Sequence, residues 1–241
     1  MQPDASALME KIGLESPLIG FYDAPEVEPF EPLVVPEPGK WSCLFAYYKQ
    51  WLCGKTLHIT KDNFGCGGAG YHICGVQTRS REDFVRFLAD EEGLKSSHAL
   101  MNEWLDSNKG YMQEHGHILV GPANEDQYEY LKSMTFLVDP DQLSMLALGA
   151  QYDSAPGDAL PVIAPFGSGC MQLVSCFADL TAPQAIVGAT DIAMRQYLPP
   201  EILAFTVTKP MFERLCCLDK GSFLYKSFLE RLKKARKGKD R

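Results

Sequence analysis

The sequence lacks an apolar run long enough to cross a membrane, and its first residues carry neither a basic region nor an extended apolar stretch. A membrane-spanning helix needs about 20 consecutive apolar residues. A secretory signal needs a basic start followed by an apolar core. We therefore expect a soluble, cytoplasmic protein with no membrane partner.

Positive charge is also scarce. The 23 lysines and arginines stand against 31 aspartates and glutamates, which gives a formal net charge of −8. A negative field repels phosphate backbones, so this balance argues against a general role in nucleic-acid binding. Basic residues collect in residues 218–241, which predicts a C-terminal basic helix or tail. A solvated helix end accounts for such a run, because cations suit the C-terminal end of a helix dipole; an anion-binding tail stays open.

Cysteine pairs with C-x-x-C spacing are missing too. None of the eight cysteines forms a C-x-x-C pair, and disulfide frameworks belong mainly to exported proteins. The cysteines are therefore expected to be thiols, either buried as small apolar groups or used as ligands. A chain of 241 residues can bury a large core without metals or disulfides. A cofactor would then serve function rather than folding.

Short apolar runs alternate with segments of helical spacing along the whole chain. The pattern predicts an α+β fold, a mixed sheet with packed helices, in a single domain over residues 1–241 because no linker or internal repeat divides it. A proline-rich segment, residues 25–38, predicts an extended surface connector. The predicted strands are 17–22, 56–60, 118–120, 134–138, 162–165, 185–187 and 202–207. The predicted helices are 5–12, 41–52, 82–90, 96–106, 140–150, 169–177, 211–217 and 222–234.

Two glycine-rich segments each place a cysteine after a predicted strand. Residues 63–70 read NFGCGGAG around Cys66, and residues 165–171 read PFGSGCM around Cys170. Glycine permits positive φ and lets a backbone approach a ligand closely. The exposed amides around such a cysteine can stabilise a thiolate or donate hydrogen bonds to cluster sulfurs. We take these segments as the candidate site.

Three interpretations of this site compete. The first is a soft metal site for an iron–sulfur cluster or zinc, with thiolate ligands Cys43, Cys66, Cys170 and Cys176. The second is an enzyme or sensor site for a small anionic metabolite or nucleotide, contacted by Gly65, Gly67, Gly68, Gly167, Gly169 and Arg195. The third is structural, with packed glycine turns and buried thiols. If it holds, the protein would be an interaction module without a ligand, and the proline-rich segment and the basic tail would be its binding parts. The sequence identifies no catalytic residue.

Cys66 carries a further prediction. The glycines around it offer no side chains to cover it, so we expect its thiol to be partly accessible, at the floor of a pocket. Flanking amides should lower its pKa and make it the most reactive thiol of the chain.

The motifs resemble those of an uncharacterised family, the domain of unknown function numbered 169. The resemblance rests on the order of four segments and covers residues 15–215; the segments are 54–66, 139–142, 167–176 and 188–207. Phe64 stands where family members often carry histidine, and Thr190 stands where they often carry cysteine. The resemblance implies a soluble protein of unassigned activity, associated with anaerobes and archaea. It supplies no reaction, and a homo-oligomer stays open.

Overall fold

The computed structural model describes residues 3–40, 42–108, 110–155, 157–173 and 180–237. Its strands are β1 (Ile19–Ala24), β2 (Leu33–Val34), β3 (Thr56–Ile59), β4 (His117–Pro122), β5 (Leu131–Val138), β6 (Val162–Ile163), β7 (Ala185–Gly188) and β8 (Leu203–Thr208). They form one sheet in the order β2-β3-β4-β1-β5-β8-β7-β6. The neighbours are antiparallel except for the two edge pairs, β2–β3 and β6–β7. The prediction of an α+β fold with a mixed sheet is therefore confirmed.

The helices flank this sheet. They are α1 (Ser6–Ile12), α2 (Tyr48–Leu52), α3 (Gly67–Ala69), α4 (Arg81–Arg86), α5 (His98–Ser107), α6 (Pro140–Ala150), α7 (Gly169–Leu173), α8 (Lys209–Cys216) and α9 (Ser227–Lys237). The α6 helix begins as its sequence indicates, with Asp139 and Gln142 forming a reciprocal capping box around Pro140. Within the described ranges, no helix combines the length and the apolar character that crossing a membrane requires.

Both faces of the sheet are buried, because its strands alternate apolar side chains between two cores. In β8, Phe205 and Val207 pack into a core formed with α1, α6 and α8. Ala204, on the opposite face, packs into a second core with Trp51 of α2 and Ala69 of α3. The candidate site lies at the second core, because α3 and α7 both pack on that face.

The structure corrects two predicted elements near the site. The first glycine-rich segment, expected to form a glycine turn rather than a helix, is helical: Gly67 begins α3, which continues as a π-helical turn over Gly70–Cys74. Cys66 caps this helix, since its sulfur accepts the Ala69 amide. The helix predicted over residues 41–52 is a 3₁₀ turn, Leu44–Tyr47, followed by the short α2 helix. The edge strand β2 was not predicted, because it lies inside the proline-rich connector.

A helical insertion follows the first glycine segment in the chain and contacts the second. Residues 76–116 join the π-helical turn to β4 and contain α4 and α5. They have a small core of their own, formed by Val85, Ala89, Met101 and Leu105. The insertion reaches the second glycine segment through Trp104, whose ring lies 4.9 Å from that of Phe166.

Candidate functional site

The fold brings Cys66 and Cys170 together. Cys66 precedes α3 and Cys170 is the second residue of α7, and these two helices pack against each other. Both sulfurs lie within 3.8 Å of the position that a Cβ on Gly68 would take, and hydrogen bonding between them is the largest cause of their opposite pKa shifts. On the other side of Cys170, the Ser168 hydroxyl lies 3.1 Å from its sulfur. The two predicted glycine–cysteine segments therefore form one site.

This interaction gives the two thiols different pKa values. Donation from Cys170, assisted by the Ala69 and Gly68 amides against the cost of burial, lowers the pKa of Cys66 to about 6. The Ala69 nitrogen lies 3.4 Å from the Cys66 sulfur. The same bond, together with complete burial, raises the pKa of the Cys170 thiol well above its usual value. The two opposite shifts favour the thiolate form of Cys66 and the thiol form of Cys170.

The pair confirms part of the prediction for Cys66. Its side chain is half-buried, so it is partly accessible, and its pKa is lowered. The largest cause is the Cys170 thiol rather than the flanking amides, which rank behind it. Two clefts flank the loop, lined by its neighbours Phe64 and Gly65 on one side and Gly67 on the other. A location at the floor of a pocket stays a prediction.

Cys43 lies next to this pair but differs in protonation. It precedes the 3₁₀ turn at Leu44, and its charge would repel those of Cys66 and Cys170. Burial raises the pKa of the Cys43 thiol to about 12, so it is protonated at neutral pH. Cys176 lies outside the described residues. Among the residues that are described, no three His, Cys, Asp or Glu side chains are placed to hold a metal ion.

The glycines of the site have different structural roles. A Cβ on Gly169 would lie 2.8 Å from the Phe45 ring, and one on Gly65, whose φ is +83°, would lie 2.5 Å from the Ser42 carbonyl oxygen. These two positions are closed by packing. Gly167 is buried, and Gly67 lines a cleft.

Gly68 is the open position among them. A Cβ there would lie 3.5 Å from the Cys170 sulfur, 3.7 Å from the Ser168 hydroxyl and 3.8 Å from the Cys66 sulfur. Those distances are ordinary van der Waals contacts. The missing side chain of Gly68 therefore leaves a space that faces both sulfurs.

A third segment, which follows β7, forms hydrogen bonds with residues of α7. The Gln172 side chain is fully buried, accepts the Ala189 amide at 2.8 Å and donates to the Thr190 hydroxyl at 2.9 Å. Ala189 has a φ of 59°, which is uncommon for a residue with a Cβ and concentrates at functional sites. Asp191 then accepts the Gly169 amide at 3.3 Å. Gln172 was missed, because nothing in its sequence context marks it.

Arg195 makes contacts other than the predicted ones. Its guanidinium donates to the carbonyl oxygens of Ala189, Pro199, Pro200 and Ile202. These bonds use its Nη donors to brace the loop between β7 and β8. In the structure Arg195 therefore stabilises this loop. Its predicted role in contacting an anion stays a prediction.

The comparisons with known proteins agree with the motif order. Residues 7–217 match the family described as DUF169, Uncharacterised ArCR. Neither the curated proteins nor the solved structures contain a significant match. The matched region includes every strand of the sheet and both glycine–cysteine segments. On this match the chain belongs to the DUF169 family.

Proposed function

We propose that the protein binds a thiophilic cofactor, a soft metal ion or an iron–sulfur cluster, through the sulfurs of Cys66 and Cys170. The observation that carries this proposal is the space left by Gly68, which faces both sulfurs and the Ser168 hydroxyl. Thiolates are the ligands that zinc, copper(I) and iron–sulfur clusters prefer. Amides around such sulfurs stabilise their negative charge.

The protonation of the site supports a soft ligand. The Cys66 sulfur is ionised at neutral pH before any ligand arrives, and Cys170 supplies a second sulfur by releasing its proton. Cys43 lies near the pair, but these three cysteines are not placed to hold one metal ion among the described residues, and Cys176 follows α7 in the sequence. A two-sulfur site with one thiolate binds a soft ion weakly by itself, so we expect Cys176 to complete the ligand set.

Metal binding should then be coupled to proton release. Ligation by Cys66 should release little proton at pH 7, whereas ligation by Cys170 should release one. Affinity for zinc should therefore rise with pH between 6 and 8. A titration in two buffers of different ionisation enthalpy measures the number of protons released.

The direct experiment is purification without oxygen, followed by iron, sulfide and zinc analysis and by an absorption spectrum. Stoichiometric metal, lost in Cys66→Ser and in Gly68→Ala, is the expected result. Gly68→Ala is the sharper variant, because its methyl group makes only ordinary contacts in the folded chain yet fills the space before the sulfurs. Cys53→Ser is the matched control, since Cys53 is exposed and lies outside the site. Wild-type protein free of metal and without a visible charge-transfer band would overturn the proposal.

A further inference from the structure

A cleft lies next to the first glycine segment and is lined by Gly67, Tyr71, Gln77, Thr78, Arg79, Arg81 and Phe84. It is shallow and open to solvent, so a small molecule bound there would stay partly in water. Its walls come from the helix that Cys66 caps and from the start of the helical insertion.

Arg79 supplies a cation that is not neutralised by a close partner. Its guanidinium lies 4.2 Å from the centre of the Phe87 ring, and within the described part of the chain it forms no salt bridge. The Glu92 carboxylate interacts with the Arg79 charge electrostatically, without a salt bridge. Stacking on an aromatic ring holds a guanidinium in place without using its hydrogen-bond donors.

Tyr71 supplies a second polar group to the cleft lining, an oriented donor. Its hydroxyl oxygen accepts a hydrogen bond from Arg81 Nη1 at 3.2 Å. Arg81 is itself fixed by Asn102 and by an ion pair with Asp106. Because the phenol oxygen already accepts from a cation, its own proton is directed elsewhere, and it has no acceptor among the described residues. A phenol polarised in this way is a strong donor to an anion.

We infer that this cleft binds a small organic oxyanion, a carboxylate or a phosphate monoester carried on an apolar group. Arg79 and the Tyr71 hydroxyl would bind the oxyanion, with the Thr78 hydroxyl and the Gln77 amide at its rim. Phe84 would pack against the apolar part. The protein as a whole has a net charge of −8, but two arginines line this cleft. The local positive charge favours an anion there, although the overall charge of the protein does not.

This anion site is separate from the sulfur site. Gly67 forms part of its wall, and Cys66 and Cys170 do not. The inference therefore stands without a bound cofactor, and Cys53→Ser, at an exposed position outside both sites, should leave anion binding unchanged. It also differs from the anion site predicted from sequence, which used Arg195 and the glycine amides.

Isothermal titration with phenyl phosphate and with benzoate tests the inference, and benzyl alcohol serves as the neutral analogue. We expect one or both anions to bind with a Kd in the millimolar range or tighter, more weakly at higher salt, and benzyl alcohol not to bind. The stronger of the two anions identifies the preferred oxyanion.

Arg79→Gln should weaken binding about tenfold or more, and Tyr71→Phe should weaken it by a smaller factor. Arg86→Gln is the matched control, since Arg86 lies on α4, pairs with Asp83 and does not line the cleft. Unchanged melting temperatures of the variants confirm that they fold. The inference is overturned if neither anion binds, if benzyl alcohol binds as well as benzoate, or if Arg79→Gln binds the anion as the wild type does.

Discussion

The hydrogen bond between Cys170 and Cys66 determines which thiol of the chain reacts first. With a pKa of about 6, Cys66 is mostly thiolate at pH 7, whereas burial raises the pKa of Cys216 to about 12. We predict that Cys66 alkylates faster than Cys216 and Cys217 in native protein at pH 7. Its rate should reach half of its maximum near pH 6. Iodoacetamide labelling followed by peptide mapping over a pH series measures these rates.

Cys170→Ala separates the thiol donor from the flanking amides. This variant should raise the pH of half-maximal Cys66 labelling by about one unit or more, because the largest cause of the shift is removed. Cys53→Ser should leave the profile unchanged. If Cys66 labels more slowly than Cys216 and Cys217, the glycine segment is closed by packing, and the structural interpretation should replace the proposed function.

Gly169 shows how tightly the second glycine segment is packed. A methyl group at this position would lie 2.8 Å from the Phe45 ring and 3.1 Å from the Met194 side chain. We predict that Gly169→Ala lowers the free energy of unfolding by about 1–3 kcal/mol, because overpacking displaces buried neighbours. Urea denaturation measures the change. Gly116→Ala, whose methyl group would meet nothing closer than 3.8 Å, should change stability much less; equal losses would contradict the packing argument.

At the scale of an element, the π-helical turn Gly70–Cys74 buries a histidine. The His72 side chain is 2% exposed, its Nδ1 has no partner among the described residues, and burial lowers its pKa to about 4. An unfolded histidine titrates near 6.5, so between pH 6.5 and pH 4 the unfolded chain binds more protons at this residue. The stability that this group contributes is therefore present above pH 6.5 and is lost as the pH falls towards 4.

We predict that acidification from pH 7 to pH 4.5 destabilises the wild type by an amount to which His72 contributes on the order of 3 kcal/mol. His72→Phe fills a similar volume and cannot be protonated, so its stability should fall less over this range. His98→Gln is the control, because His98 is an exposed residue that pairs with Asp90. Urea denaturation at the two pH values measures the difference. Equal pH slopes for wild type and His72→Phe would contradict the prediction.

Elements whose apolar residues repeat with a clear strand or helix period were predictable from the sequence. Elements that form only because another part of the chain packs or pairs with them were not. The β8 strand alternates buried side chains between two cores, and the α6 helix carries its cap, so both were predicted nearly in place. The β2 strand has two residues and exists because β3 pairs with it. The start of α3 is Gly-Gly-Ala, which has low helix propensity, and tertiary packing overrides it.

The candidate site divides in the same way. Cys66 and Cys170 were predicted as a pair from their glycine context, but the direction of the hydrogen bond between them depends on the fold. Gln172, a buried polar residue, has no local signature. Arg195 was predicted as an anion contact from its place after a predicted strand. Its bonds to carbonyl oxygens could not be predicted, because only the folded loop brings those oxygens together.

At the scale of the whole molecule, α9 is attached to the sheet by its first half. Leu229 is buried in the first core, while Arg236 reaches Asp141 of α6 through an exposed bidentate ion pair. We predict that deleting residues 232–241 changes the melting temperature by no more than about 2 °C, because exposed ion pairs contribute little. Leu229→Ala should lower it by several degrees.

Differential scanning calorimetry of the two variants measures both values. The same deletion tests the interaction module considered from sequence, for which the basic tail would be the binding segment. A large fall in melting temperature on deletion would show that the tail belongs to the folded core instead.

The order of the strands also has a consequence for the chain during its synthesis. Cys66 leaves the ribosome roughly 100 residues before Cys170, which corresponds to about 5–20 s of translation. During that interval the thiol that lowers the Cys66 pKa does not yet exist. The central strand β1 also lacks its neighbours until residues 117–138 have been made. The lowered pKa of Cys66 therefore depends on a residue made about 100 positions later, so we expect a chain that ends before Cys170 to show ordinary thiol reactivity at Cys66.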